Sequence, residues 1–195
     1  MQTNPLPLNP LPVSGIILAG GAGRRMGGID KGWLIWQDAP LITQAISVLQ
    51  QDCQEIFISA NRHLEDYRAL GYPVITDQQS GYEGPLMGLQ AGLAAATQEW
   101  VASIPVDSPL LPSDIVRQMW TVKGQSDLVV VRSADHWHAV ILLCRRTLAT
   151  HLQQYLDSGE RRARGWFQGL NFTTLDLDET CLRNANKPGD LPCTR

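Results

Sequence analysis

Residues 18–32 read LAGGAGRRMGGIDKG, with glycine at positions 20, 21, 23, 27, 28 and 32. They open at the end of an apolar run at 15–19 that glycine ends abruptly. Glycine tolerates positive φ and lets successive backbone N–H groups converge on an anion. Arg24, Arg25 and Lys31 lie in the same stretch. Arginine offers a fork of donors matched to phosphate oxygens, and lysine supplies a point charge. A strand, then converging amides, then cations is a physical recipe for holding a polyphosphate. The spacing is not that of a P-loop, because Gly32 follows Lys31 where Ser or Thr is required. A dinucleotide fingerprint beginning at Gly21 and Gly23 meets Met26 at its third glycine.

The rest of the chain alternates strand-like and helix-like runs. Apolar strand patterns fall at 55–60, 72–76, 100–106, 127–131, 138–143 and 172–177, and helical patterns at 41–49, 63–70, 86–97, 113–121, 145–156 and 160–167. Such alternation predicts an α/β fold, a three-layer, Rossmann-like arrangement around a mostly parallel central sheet. Ligands of such sheets bind beyond the carboxyl ends of the strands. Three strands end in a candidate group: Ala19 runs into the glycine loop, Thr76 into Asp77, and Val106 into Asp107. Those ends are expected on one edge.

Composition narrows the function classes. The chain has 195 residues, 44% hydrophobic and 18% charged, with a formal net charge of −3. That balance supports a real core and gives no global basic field for nucleic acid or an anionic membrane. Neither partner is expected. The cysteines at 53, 144, 181 and 193 show no CxxC spacing, which argues against a zinc site or disulfide framework and for reduced thiols in the cytoplasm. No apolar run approaches a membrane span and no signal peptide is evident. Prolines at 5, 7, 10 and 12 mark residues 1–13 as a flexible leader before one domain at 14–195.

Several polar residues admit two readings. Asp107, between Pro105 and Pro109, is either a Mg²⁺ ligand, since that hard ion needs only one or two carboxylates, or a cap for the following bend. Asn61 fits a helix N-cap, and Asp77 a solvated turn. Gly84 and Gly88 either admit a nucleotide base close to the backbone or begin a helix with Pro85 at its first position. Arg161, Arg162 and Arg164 form either an anion grip or a solvated basic turn.

The string LAGG-x-x-RRMGG-x-DKG resembles the signature of the molybdenum cofactor guanylyltransferases, within the larger nucleotidyltransferase family. SANR at 59–62, ITD at 75–77, YEGPLMG at 82–88, PVDSP at 105–109, SGERR at 158–162 and NANKP at 184–188 match in order, so the resemblance spans roughly residues 14–190. It implies transfer of GMP from GTP to the phosphate of molybdenum-molybdopterin, with Mg²⁺ as cofactor and release of pyrophosphate. It also implies a single nucleotidyltransferase domain, in which Leu18, Ala19, Gly20, Gly21, Asn61 and Asp77 contact the nucleotide. Lys31 then meets the phosphates, Asp107 holds the metal, and Arg25 serves the leaving pyrophosphate; residue chemistry alone does not rank it above Arg24. Arg161, Arg162, His138, Asn184 and Asn186 are the acceptor-side candidates, and molybdoenzyme maturation proteins are candidate partners. A sister enzyme using CTP or a sugar phosphate is the first alternative. Ser59, where the family pattern has Asn, and Ala139, where it has Pro, keep open a GTP- or cofactor-binding carrier without catalysis.

Overall fold

A computed structural model describes residues 10–20, 30–77, 84–134 and 136–185. Gly21, Arg24, Arg25 and Asn186, together with residues 1–9 of the expected leader, lie outside the described residues.

The first strand, β1 (Leu11–Leu18), is buried from Val13 onward. A strand covered on both faces carries apolar residues on both, as Ile16 and Ile17 show. It pairs in parallel with β4 (Cys53–Ser59) on one side and β6 (Trp100–Pro105) on the other. A short β5 (Val74–Ile75) adds in parallel outside β4. Beyond β6 lies the long β8 (His136–Arg145), antiparallel both to β6 and to β7 (Leu128–Ser133), and β9 (Phe172–Asp176) closes the sheet in parallel with β7. The seven-stranded order is therefore β5-β4-β1-β6-β8-β7-β9. The expected α/β architecture with a mostly parallel sheet is what the chain adopts, with β8 as the reversed strand.

Helices cover both faces. On one, α1 (Leu41–Gln50) and α4 (Ile115–Val122) bury Ile42, Leu49, Ile115 and Met119 against Ile17, Ile58 and Ile104. On the other, α3 (Pro85–Ala95), α5 (Ala149–Asp157) and α6 (Ala163–Trp166) bury Leu86, Leu89, Leu152 and Trp166 against Ile16, Val101 and Val130. Side chains alternate across a strand, so adjacent residues such as Ile16 and Ile17 feed the two cores. The helix α3 sits so close to the sheet that a Cβ on Gly92 would stand 2.0 Å from Ile16 Cδ1.

Several boundaries differ from the sequence reading. The first strand begins at Leu11, so residues 11–13 belong to the sheet rather than to a leader. Leu11 N donates to Asp52 O at 2.7 Å, and Pro12 falls within a register irregularity between Leu11 and Ser14, where a missing N–H is tolerated. The short α2 (Leu64–Arg68) is preceded by His63 in the left-handed region, φ 50°, and Asn61 does not cap it. The strand β8 runs on through Arg145, and a 3₁₀ turn at Arg146–Leu148 precedes α5. An antiparallel ribbon of β2 (Ile35–Trp36) and β3 (Ala39–Pro40), turned by Gln37 and Asp38 at positive φ, was not legible as strands.

Candidate functional site

The parallel strands finish together. Leu18 is level with Ser59 on one side and Pro105 on the other, and Ser59 is level with Ile75. Backbone bonds carry this edge outward: Ala19 N donates to Ser59 O, Val106 N to Leu18 O, and Ala60 N to Ile75 O. The chain leaving β1 travels to β4 on one side and later returns to β6 on the other. Such a divergence opens a crevice at the carboxyl edge.

That crevice is a cleft of about 220 Å³ lined by Leu18, Ala19, Gly20, Asp30, Lys31, Arg62, Pro85, Pro105, Val106 and Asp107. Five of the residues expected from sequence thus meet in one place: Leu18, Ala19, Gly20, Lys31 and Asp107. Lys31 Nζ lies 2.7 Å from Asp107 Oδ2, with the lysine side chain 33% exposed and the aspartate 14%. The cation is carried by a 3₁₀ turn, Lys31–Trp33, and the anion by the bend after β6.

The turn bearing Lys31 is anchored from below. Asp30 is 9% exposed; its Oδ1 accepts Gly32 N at 3.0 Å and the hydroxyl of fully buried Tyr67 at 2.7 Å. Gly32 is required here, because a Cβ on it would stand 2.2 Å from the Tyr67 hydroxyl oxygen. Neither Asp30 nor Tyr67 was expected in the site. Arg62, a second cation lining the cleft, also escaped notice within SANR, although its position immediately after Asn61 was the available signal.

Asn61 and Asp77 form a matched pair instead of a cap and a solvated turn. Asn61 Nδ2 donates to Asp77 Oδ2 at 2.7 Å, and Asp77 N donates to Asn61 Oδ1 at 3.0 Å. Burial raises the Asp77 carboxyl above its ordinary range, partly opposed by the Asn61 hydrogen bond. Asp77 Oδ1 has no hydrogen-bond partner among the described residues. Ser59 is 2% exposed, tucked beneath α3 where a Cβ on Gly88 would meet its Oγ at 2.4 Å. Gly88 therefore serves helix–sheet packing, and Gly84 supplies the positive φ of 100° that starts α3 at Pro85.

Of the residues expected to meet an acceptor, Asn184 is drawn to Asp107's neighbourhood. Ser108 Oγ donates to Asn184 Oδ1 at 3.1 Å, and Ala185 N donates to Asp107 O at 2.8 Å. Antiparallel β8 begins at the same edge; a register shift past the Val130–Leu142 pair leaves His138 level with Val131 of β7. His138 is half-buried and crosses His136 with ring centroids 5.7 Å apart. Burial and then the His136 charge lower its pKa, against an opposing pull from Glu179. Arg161 Nη1 is held by Leu156 O at 2.7 Å and Glu160 O at 2.8 Å, closing the end of α5. The carbonyl of Arg162 accepts the Tyr155 hydroxyl at 2.9 Å. The Arg161 side chain is thus bonded at the end of α5, and Arg164 lies over Trp137 at 5.6 Å.

A divalent ion fits this donor set. Among the described residues no group of three or more His, Cys, Asp or Glu is arranged to hold a metal. A protein-only cage is therefore not formed by them. A hard cation that keeps waters and takes substrate oxygens needs only a carboxylate such as Asp107, and the oxygens at this edge are of that kind. No helix among the described residues is long and apolar enough to cross a membrane.

Comparison with known proteins gives a concordant result. A family model described as a MobA-like NTP transferase domain matches residues 15–175. A molybdenum cofactor guanylyltransferase of Shewanella woodyi is 39% identical over 183 residues, covering 91% of this chain and 93% of the relative. The molybdopterin-guanine dinucleotide biosynthesis protein A of Archaeoglobus fulgidus superposes with a TM-score of 0.70 at 16% identity, over 91% of this chain and 94% of that one. A Mycobacterium tuberculosis protein solved as a manganese complex superposes with a TM-score of 0.64 at 17% identity, over 85% and 88% of the two chains.

Proposed function

Because the chain belongs to the MobA-like NTP transferase family, we propose that it transfers GMP from GTP to the phosphate of molybdenum-molybdopterin and releases pyrophosphate. A terminal phosphate oxygen of the acceptor forms a bond to the α-phosphorus of GTP as the bond from that phosphorus to the α,β-bridging oxygen breaks. The electron pair leaves with pyrophosphate. The attacking group is already anionic, so the step asks for no general base. What it asks for is positioning and neutralisation of converging negative charge.

The observation that carries this reading is the Lys31–Asp107 pair at 2.7 Å, at the edge where β1 and β6 end. Lys31 and Arg62 supply positive charge to the phosphates, and Leu18, Ala19 and Gly20 form the wall against which the nucleotide lies. The Asn61–Asp77 pair stands at the neighbouring strand ends, as the proposed contact to the nucleotide on that side. Asn184, fixed through Ser108, and His138 are the proposed contacts to the acceptor. Arg25, Gly21 and Asn186 retain their proposed roles at the pyrophosphate, the nucleotide and the acceptor.

Asp107 is the residue that would hold a divalent ion, and Mg²⁺ is the ion proposed. Its chemistry there is to offset the charge of the nucleotide phosphates. The manganese complex of the structural neighbour supports a divalent ion of this class. The cytoplasm is the proposed compartment, since GTP is available there and described cysteines 53, 144 and 181 are free thiols.

The test is a reconstitution with purified chain, GTP, Mg²⁺ and metal-loaded molybdopterin, with mass detection of the guanylylated product and CTP in parallel. Guanylylated product with little cytidylylated product supports the proposal. Preferential use of CTP, or GTP binding with no pyrophosphate release, refutes it.

A further inference from the structure

We propose that Tyr67 is a positioning residue for Lys31, acting through Asp30. The inference rests on the reading that Lys31 meets the GTP phosphates. Asp30 immediately precedes Lys31, and its carboxylate is almost wholly buried. A buried carboxylate needs donors, or the cost of removing it from water is not offset. Two donors converge on its Oδ1: Gly32 N at 3.0 Å and the Tyr67 hydroxyl at 2.7 Å. Trp33 N also donates to Asp30 O at 3.2 Å. Lys31 is thus flanked by bonds on both sides of its own Cα, and one of them reaches 37 positions along the chain to α2.

The hydroxyl is built in for this contact. Tyr67 has no exposed surface, and its ring meets Trp33, the last residue of the turn, at 5.2 Å between centroids. The absent side chain of Gly32 leaves room for the oxygen. Burial, then the hydrogen bond and charge of Asp30, push the phenol's pKa far upward, so it remains a donor at any working pH. The helix α2 that carries Tyr67 follows within five residues of Arg62 in the sequence. Arg62, the other cation among the described residues lining the cleft, thus enters just ahead of the same short helix. A long, flexible lysine loses rotamer freedom when it engages phosphate, and a turn pinned at its base reduces what remains to be ordered.

Tyr67→Phe keeps the ring and removes only the donor. Its effect on kcat/KM for GTP should be a loss of about tenfold, the worth of one hydrogen bond to a charged group. A calorimetric GTP titration should show weaker binding in the same direction. The discriminating measurement is a double-mutant cycle with Lys31→Ala. In the Lys31→Ala background, Tyr67→Phe should change kcat/KM by less than about twofold, because the group it positions is gone. An equal loss in both backgrounds would mean that Tyr67 supports folding alone, and the proposal fails. No loss in the otherwise unaltered chain also overturns it. If Lys31→Ala itself leaves turnover unchanged, the reading of Lys31 is what fails, and the proposal falls with it. Should Tyr67→Phe fold poorly by thermal melting, Asp30→Asn serves as the second variant. It presents a neutral acceptor to both donors, and its smaller loss must likewise vanish without Lys31.

Discussion

Lys31→Met should change two properties in opposite directions, which misfolding cannot do. The ammonium stands 2.7 Å from Asp107 Oδ2, where it competes with any cation for that oxygen. Coulomb attraction at such a distance is worth several kcal/mol gross at an effective dielectric near 20. The lysine side chain is one-third exposed, however, and the aspartate is not sealed from water. Screening and side-chain entropy bring the net value of such a pair down to about 1 kcal/mol. Removing the competitor should therefore tighten binding of Mg²⁺ or Mn²⁺, measured calorimetrically without nucleotide, by about fivefold. The same variant loses a charged donor to the triphosphate, worth about 1.5–3 kcal/mol, so kcat/KM for GTP should fall about 10- to 100-fold. Metal affinity that is unchanged or weaker in Lys31→Met would refute the competition, and with it the view that Asp107 is the metal's carboxylate.

Three further outcomes follow from the packing and the edge chemistry. Gly92→Ala should destabilise the fold by about 1–3 kcal/mol in urea unfolding, because its methyl would press on Ile16 Cδ1, Cγ1 and Cγ2 at 2.0, 2.7 and 3.1 Å; GTP kinetics per folded molecule should stay unchanged. Burial raises the Asp77 pKa, so the native state holds that proton over a range where the unfolded chain has released it. Stability from this group is greatest below its unfolded value and is lost as pH rises through the native one, so Asp77→Asn should gain most over the unaltered chain at neutral pH and lose that advantage towards pH 4, measured by denaturant melts across the interval. Asn184→Ala removes the partner of Ser108 Oγ and should raise the KM for the molybdopterin acceptor more than that for GTP in steady-state assays.

The sequence made legible what is decided within a few residues. Apolar runs that stop at Ala19, Thr76 and Val106 mark strand ends without any tertiary information, and the glycine-and-cation composition after β1 marks the stretch whose Gly20 and Lys31 line the cleft. Asn61 shows where local rules stop. Its type and place satisfy every criterion for a helix cap, yet two hydrogen bonds to Asp77, sixteen positions away, hold it elsewhere, and His63 takes the turn before α2. Asp30 was visible only as the residue before Lys31 in the glycine-rich string, since its partner Tyr67 lies on a helix whose position follows from the sheet order and not from the intervening residues.

The direction of β8 is the most consequential feature that periodicity could not supply. An apolar run at 138–143 looks the same read either way. Were β8 parallel to β6, its first residues would lie at the amino edge, a strand's length from Asp107. Because Trp100 pairs with Arg145 and Ser103 with Leu142, the strand instead begins at the carboxyl edge, with His138 paired to Val131 of β7 beyond a register shift. The reversal also carries the chain back along α5 and α6 to Trp137, where Phe167 and Arg164 pack at 5.6 Å each. One antiparallel strand thus brings the second half of the chain to the edge that the parallel strands had already prepared. A reaction joining two anionic substrates can then draw one wall of its site from each half.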